Sequence, residues 1–227
     1  MSRFLPLLVI CIMLCGADSL LAFQSASNHF SITAPDGWTD VPPAMRDQLA
    51  KMLTKPGSQP PKIEAAWMRQ PNMLSRPSVV VVYATPGAQD LDAIERNLPQ
   101  LMAQKQAASA VPVPTPRVER EKHRMVAEFP LTPPNGPPFK GIAYSFFGKE
   151  ALANLQCFAP ADRFAEDSSG FTAFADSFRF DPGYEYTQAA SANRRAGGGA
   201  VVLVVLLAAA VCTYFLLFKK KRMPPVQ

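Results

Sequence analysis

The chain has 227 residues, 48% of them hydrophobic and 18% charged, with 23 prolines, 12 glycines and 4 cysteines. This composition excludes a disordered polymer, a collagen and a disulfide-stabilised scaffold, and it leaves room for one domain of ordinary size with accessory segments. Most of the net charge of +5 lies at the two ends, where five of the 23 basic and one of the 18 acidic residues are found. Residues 23–196 contain 18 basic and 17 acidic residues and are nearly neutral. A nucleic-acid-binding protein is therefore not expected.

The first predicted element is a secretory signal peptide over residues 1–22. Arg3 supplies its positive charge, and residues 4–14 form an apolar stretch that is too short to span a bilayer. Cleavage is expected after Ala22 or, as the alternative, after Ala17, because both leave a small residue at the last position.

Residues 23–183 are predicted to form a single extracytoplasmic domain, because roughly 160 residues suffice for one buried core. In its first half, hydrophobic periodicity predicts strands over 29–33, 63–69 and 78–85 and helices over 44–53 and from Asp90 or Asp92 onward. Pro99 predicts a kink or a late start in the second helix. Four consecutive valines predict that the strand over 78–85 is covered on both faces.

The second half of the domain is predicted to contain two hairpins and a closing helix. The hairpins pair 117–121 with 123–131 and 140–147 with 151–158, and the closing helix covers 168–178. Phe171, Phe174, Ala175 and Phe178 lie on one face of that helix. Together these elements predict an α+β domain with a central, mostly antiparallel sheet and flanking helices.

Residues 184–199 are predicted to be a flexible linker and residues 200–218 a transmembrane helix. The run over 200–218 has 19 residues without a charge and would span about 28 Å, close to the thickness of the hydrocarbon core. Four cations follow it directly: Lys219, Lys220, Lys221 and Arg222. They predict a stop-transfer anchor with a basic cytoplasmic tail over 219–227 and the domain on the periplasmic or extracellular side of the cell membrane.

Three segments of the domain resemble one known family. They are FSITAPDGW over 30–38, GIAYSFFG over 141–148 and FADSFRF over 174–180. They are similar to segments of the PsbP-like superfamily, which includes the extrinsic photosystem II subunit PsbP, the bacterial envelope protein DcrB and a Ran-binding import factor. The resemblance covers about residues 28–182. It implies a central antiparallel sheet between helices and a role in binding or assembly, without chemistry of its own.

Catalytic and metal-binding residues are scarce in this sequence. His29 and His123 are expected to be exposed structural residues at a strand start and a hairpin tip. Cys157 is the one cysteine of the domain, which excludes a disulfide within it, and it is expected to be a small buried hydrophobe. No known nucleophile, zinc, phosphate or dinucleotide motif is present, so neither a cofactor nor a metal is predicted.

Acidic residues form two groups, which precede the second and the closing helix. The groups are Asp90, Asp92 and Glu95, and Asp162, Glu166 and Asp167. Helix capping is the favoured interpretation, with Glu95 completing a capping box. The alternative is a membrane-anchored hydrolase that uses acidic residues near Asp162 or Asp176.

Three aromatic residues, Trp38, Trp67 and Tyr83, are candidates for a binding groove, although a core position is the more common role. The predicted function is a non-catalytic binding or assembly module of the cell envelope, tethered to the bilayer by its C-terminal helix. Its partner would be an envelope protein or ligand, and nothing in the sequence identifies it.

Overall fold

A computed structural model of the chain describes residues 21–54, 59–107, 113–131 and 137–188. The strands are β1 (Leu21–Ser25), β2 (Phe30–Ala34), β3 (Thr39–Asp40), β4 (Ile63–Arg69), β5 (Ser78–Pro86), β6 (Arg117–Glu119), β7 (Arg124–Leu131), β8 (Phe139–Phe147), β9 (Ala151–Pro160) and β10 (Arg179–Phe180). The helices are α1 (Pro43–Leu53), α2 (Leu91–Ala107) and α3 (Phe164–Ser177), and a 3₁₀ turn covers Arg120–Lys122.

The predicted transmembrane helix over 200–218 and the basic tail with Lys219, Lys220, Lys221 and Arg222 lie outside the described residues. So does the predicted signal peptide up to residue 20. Among the described helices, none is long and apolar enough to cross a membrane. Leu21 and Ala22 belong to β1, where Ala22 pairs with Thr33 of β2.

The strands form two antiparallel sheets. The larger sheet has the order β3-β4-β5-β9-β8-β7-β6, and the smaller one has the order β1-β2-β10. The β8–β9 hairpin turns where predicted, with the Gly148 amide donating to the carbonyl of Ala151 at 2.9 Å. The predicted α+β class with antiparallel sheets is confirmed.

Strand β5 lies near the centre of the larger sheet and is covered on both faces, as its valines predict. Val80 and Val82 pack in the core that includes Phe171 and Phe174 of α3, together with residues of the smaller sheet. Val81 points to the other face, into the cluster that includes Leu49 of α1. The alternation of side chains along one strand thus joins two hydrophobic layers.

Two helix predictions need correction at their ends. Helix α3 begins at Phe164, four residues before the predicted start, and Phe178 is its buried C-terminal cap and not its last turn. Helix α2 begins at Leu91 and continues through Pro99 to Ala107, so the predicted late start is wrong. The amide of Ala93 donates to the Asp90 carboxylate at 3.0 Å, which confirms Asp90 as the cap.

Candidate functional site

A cleft of about 440 Å³ opens at the end of the larger sheet where β7 begins and β8 ends. Its walls combine the 3₁₀ turn, the C-terminal end of α3, β10 and the chain that follows β10. The lining side chains are aromatic or charged, with both signs present: Glu121, Lys122, His123, Arg124, Phe146, Phe147, Asp176, Phe178, Arg179, Phe180, Glu185 and Tyr186, with Ala175 between them.

Stacked aromatic rings form the apolar part of the cleft. The Phe146 and Phe178 rings are nearly parallel, with centroids 4.0 Å apart, and Phe180 meets Phe178 edge-on at 5.1 Å. Phe178 comes directly after α3, so the helix end positions this stack. The stack gives the cleft a fixed apolar wall.

Arg124 is the central charged residue of the cleft. Its side chain is only 5% exposed, and its guanidinium lies over the Tyr144 ring at 5.2 Å. Nε donates to Glu119 at 2.6 Å, and Nη1 donates to Asp176 Oδ1 at 2.9 Å. Two carboxylates are therefore held together by one guanidinium.

These contacts set the ionisation of both carboxylates. The hydrogen bond from Lys122 Nζ, at 2.7 Å, is the main cause that lowers the pKa of Asp176, and Arg124 lowers it further. Partial burial raises the pKa of Glu119, but the hydrogen bonds from Arg124 and Arg117 outweigh it, and the net shift is downward. Both groups are held as charged acceptors.

The Lys122 contact makes a testable prediction about pH. Lys122→Met removes the first cause of the shift, so the pKa of Asp176 should rise towards its ordinary value. In the unchanged protein, this carboxylate contributes stability above its unfolded pKa, and that contribution is lost as the pH falls through its lowered folded value. Carboxyl carbon NMR of Asp176 during an acid titration measures the shift.

Lys140→Met is the matched control, because Lys140 lies at the other end of β8 and contacts Phe164. It should leave the titration of Asp176 unchanged. An unchanged midpoint in Lys122→Met would contradict the assigned contact.

The segment after β10 packs against the domain and closes one side of the cleft. Tyr184 stacks on His29 with centroids 3.6 Å apart, and its carbonyl accepts from the Lys149 amide at 2.9 Å. Tyr186 packs on His123 at 5.0 Å. We call residues 181–188 the exit segment; its contacts with the domain include both of these tyrosines.

His29 and His123 have positive φ values of 53° and 45°. His29 directly precedes β2, and His123 ends the 3₁₀ turn between β6 and β7, which confirms their predicted places. Each ring supports a tyrosine of the exit segment. Among the described residues, no cluster of three or more His, Cys, Asp or Glu side chains is arranged to bind a metal.

The three aromatic candidates are core residues and not cleft residues. Trp38 and Trp67 are 4% and 2% exposed, and both pack against Phe174 with centroids 5.1 Å apart. Tyr83 is buried, its hydroxyl accepts from Gln156 at 2.8 Å, and burial raises its pKa. The hypothesis that these residues line a groove therefore finds no support in the described structure.

Cys157 also lies in the core. It is fully buried on the face of the sheet that α3 covers, and burial raises the pKa of its thiol. A thiolate nucleophile needs the opposite shift. The interpretation of this residue as a small buried hydrophobe is confirmed.

The acidic groups only partly follow the capping interpretation. The predicted capping box is wrong, because Asp90 is the cap and Asp92 lies inside α2. Asp92 and Glu95 instead form ion pairs with Arg120. Asp162 is exposed, and Glu166 lies in the first turn of α3 as predicted.

Asp167 is completely buried and has a structural role that was not predicted from the sequence. Arg69 and Arg163 donate to its two oxygens at 3.0 Å each, and the Ser78 hydroxyl also donates to it. Asp167 lies four residues before Phe171 and therefore on the apolar face of α3. This spacing could have indicated its burial from the sequence.

Comparison with known proteins finds similarity in structure alone. No protein-family model matches the chain, and no curated protein matches its sequence. The fold is similar to cyanobacterial PsbP from Synechocystis, with 14% identity, 73% of this chain and 95% of the other covered, and a TM-score of 0.40.

Two further solved structures are similar. LpqN, involved in cell envelope biogenesis of Mycobacterium tuberculosis, has 11% identity, with 73% of this chain and 87% of the other covered and a TM-score of 0.40. A protein from Bacteroides thetaiotaomicron has 12% identity, with 73% of this chain and 50% of the other covered and a TM-score of 0.37.

Proposed function

We propose that this protein is a membrane-tethered extracytoplasmic binding module whose ligand or protein partner occupies the cleft beside Arg124. The observation that carries the proposal is the composition of the cleft wall: the exit segment supplies Glu185 and Tyr186 and then continues towards the predicted anchor. A ligand in the cleft would be held next to the point where the chain leaves for the bilayer.

The chemistry of the cleft favours binding over catalysis. A general acid needs a raised pKa, whereas the Asp176 carboxyl on the cleft wall has a lowered one. The Cys157 thiol lies in the core, away from the cleft. The rival interpretation is a membrane-anchored hydrolase. Of its two candidate carboxylates, Asp176 lies in the cleft and is partly exposed, whereas Asp162 follows β9 at the other end of the sheet.

The cleft also indicates the class of partner. The Lys122–Asp176 ion pair, Arg179 and Glu185 place charges of both signs on its wall, beside the stacked rings of Phe146 and Phe178. A segment that carries both charges beside an apolar or planar group, as a peptide chain does, matches this combination. The extracytoplasmic location rests on the predicted signal peptide, the predicted transmembrane helix and the four cations after it.

The binding role is tested with Asp176→Asn, which removes the charge and keeps the size of the side chain. A binding module loses one charged contact, so complementation of a deletion strain should recover when expression is raised about tenfold, which offsets about 1.4 kcal/mol of affinity. A hydrolase that uses this carboxylate would lose roughly 10²-fold to 10⁴-fold in rate and would not recover.

Asp162→Asn is the matched control, because it makes the same change at the far end of the sheet. It should complement fully at normal expression. Cys157→Ala should also retain the role, because this thiol lies in the core and does not line the cleft. Failure of Asp176→Asn at raised expression, in a protein that still folds, would favour the hydrolase.

A further inference from the structure

The loop between β4 and β5, residues 70–77, presents two adjacent apolar side chains to solvent. Met73 is 97% exposed and Leu74 is 98% exposed, and these are the large hydrophobic residues left exposed in the part of the chain that the structure describes. Single exposed apolar residues are common on protein surfaces. Two neighbours at nearly full exposure on one loop tip need a reason.

Hydrogen bonds hold this tip in one conformation. The Asn72 side-chain oxygen accepts from the amides of Leu74 and Ser75 at 3.0 and 2.9 Å and from the Ser75 hydroxyl at 2.8 Å. The Gln70 side-chain amide donates to the Ser75 carbonyl at 2.8 Å. The apolar pair is thus preorganised, and its burial in another phase would cost little ordering entropy.

The base of the loop is fixed to α3. Arg163 donates to the carbonyl of Arg76 at 3.0 Å, and both Arg69 and Arg163 bind the buried Asp167. The loop therefore moves with the domain, and any surface that Met73 and Leu74 contact will orient the whole domain.

The loop lies at the opposite end of the larger sheet from the exit segment. Val79, the second residue of β5 after the loop, lies on one rung of the sheet with Phe158 of β9 and Gly141 of β8, whereas the exit segment contacts Gly148 at the far end of β8. The seven-residue step from Gly141 to Gly148 corresponds to about 23 Å.

We propose that Met73 and Leu74 insert into the interface of the bilayer to which the chain is tethered, so that the domain lies on its side with the cleft at one end. This inference rests on the proposed tether. Eleven residues, 189–199, separate the last described residue from the predicted transmembrane helix. A flexible chain of that length reaches about 18 Å, so the bilayer is the apolar phase always within reach of the domain.

The charge at this end indicates which lipid the loop requires. The cations there are Arg69, Arg76, Lys140 and Arg163, and the carboxylates are Asp162, Glu166 and Asp167. Asp40 lies near this end as well, because its neighbour Thr39 pairs with Met68, so the charges of the two signs are equal in number. Insertion therefore depends mainly on the two apolar side chains and is expected in zwitterionic phosphatidylcholine.

The test uses the full chain reconstituted into phosphatidylcholine vesicles with or without bromine on the acyl chains. Leu74→Trp places a reporter at the loop tip, while the native Trp38 and Trp67 are buried and provide a constant background. Gln48→Trp, on the exposed face of α1, is the matched control. Bromine should quench about half of the emission added at residue 74 and little of that added at residue 48.

A second variant separates insertion from mere proximity. Met73→Asp in the Leu74→Trp protein should reduce the quenching strongly, because a carboxylate opposes entry into the interface, while the near-ultraviolet circular dichroism stays unchanged. Equal quenching at residues 74 and 48, or no effect of Met73→Asp, would overturn the inference.

Flotation of the vesicles distinguishes a failure of loop insertion from a failure of the proposed membrane tether. A chain that does not float with the vesicles contradicts the tether and this inference together, whereas a chain that floats without quenching contradicts the inference alone. When Asp176→Asn is added to the Leu74→Trp protein, the chain should still float with the vesicles, and bromine should quench its emission to the same extent.

Discussion

Phe174→Ala should lower the free energy of unfolding by about 3–5 kcal/mol, the largest effect expected for one side chain. Phe174 is completely buried, and its ring contacts both Trp38 and Trp67 at 5.1 Å. The cavity would lie between α3 and the larger sheet, where two large indole rings cannot easily move to fill it. Denaturant unfolding of the fragment 21–188 measures the change.

The control for this experiment is Met73→Ala, because Met73 is an apolar side chain that is 97% exposed. It should change the unfolding free energy by less than about 0.5 kcal/mol. A loss below about 1 kcal/mol in Phe174→Ala would mean that this ring does not fill the core and that the packing of α3 is wrong.

Asp167→Ala should cost about 2–4 kcal/mol, because it leaves two guanidinium groups and a hydroxyl without their buried acceptor. The Arg69 and Arg163 side chains are 35% and 18% exposed, so water can replace part of the lost interaction. That exposure places the expected loss below the upper limit for a fully buried ion pair. Unfolding of the same fragment, followed by circular dichroism, measures it.

Asp162→Ala removes an exposed carboxylate five residues earlier and provides the comparison. Its effect should stay within about 0.5 kcal/mol. Equal, small losses in both variants would contradict the structural role of Asp167 in fixing α3 and the β4–β5 loop to the sheet.

The elements that the sequence predicts well are those with a local signal. Strand β4 has the predicted bounds, because Pro61 precedes it closely and Pro71 and Asn72 follow it, and the β8–β9 hairpin turns at the glycine that its pattern indicates. Strand β10 was missed because it has two residues and exists only through pairing with β2, about 150 positions earlier in the chain. Such a strand carries no periodicity that could be detected.

The cleft could not be predicted because its residues are distant in sequence. Arg124 belongs to a run of mixed charge that suggests a solvated edge, yet it is buried because Tyr144 and Asp176 lie against it in the fold. Trp38 and Trp67 were conspicuous in the sequence for their size, which is also why they fill the core. Residue type alone therefore pointed away from the site.

The tethered binding role is tested most directly by comparing the full chain with a chain that ends after Ala196, at equal abundance, in a deletion strain. A third form, with residues 200–218 replaced by an unrelated transmembrane helix, controls for the anchor sequence. Tethering raises the local concentration of the cleft towards millimolar, so the shortened chain should need roughly 100-fold higher abundance to restore the role, while the exchanged anchor should restore it fully. Full activity of the shortened chain at equal abundance would contradict the account.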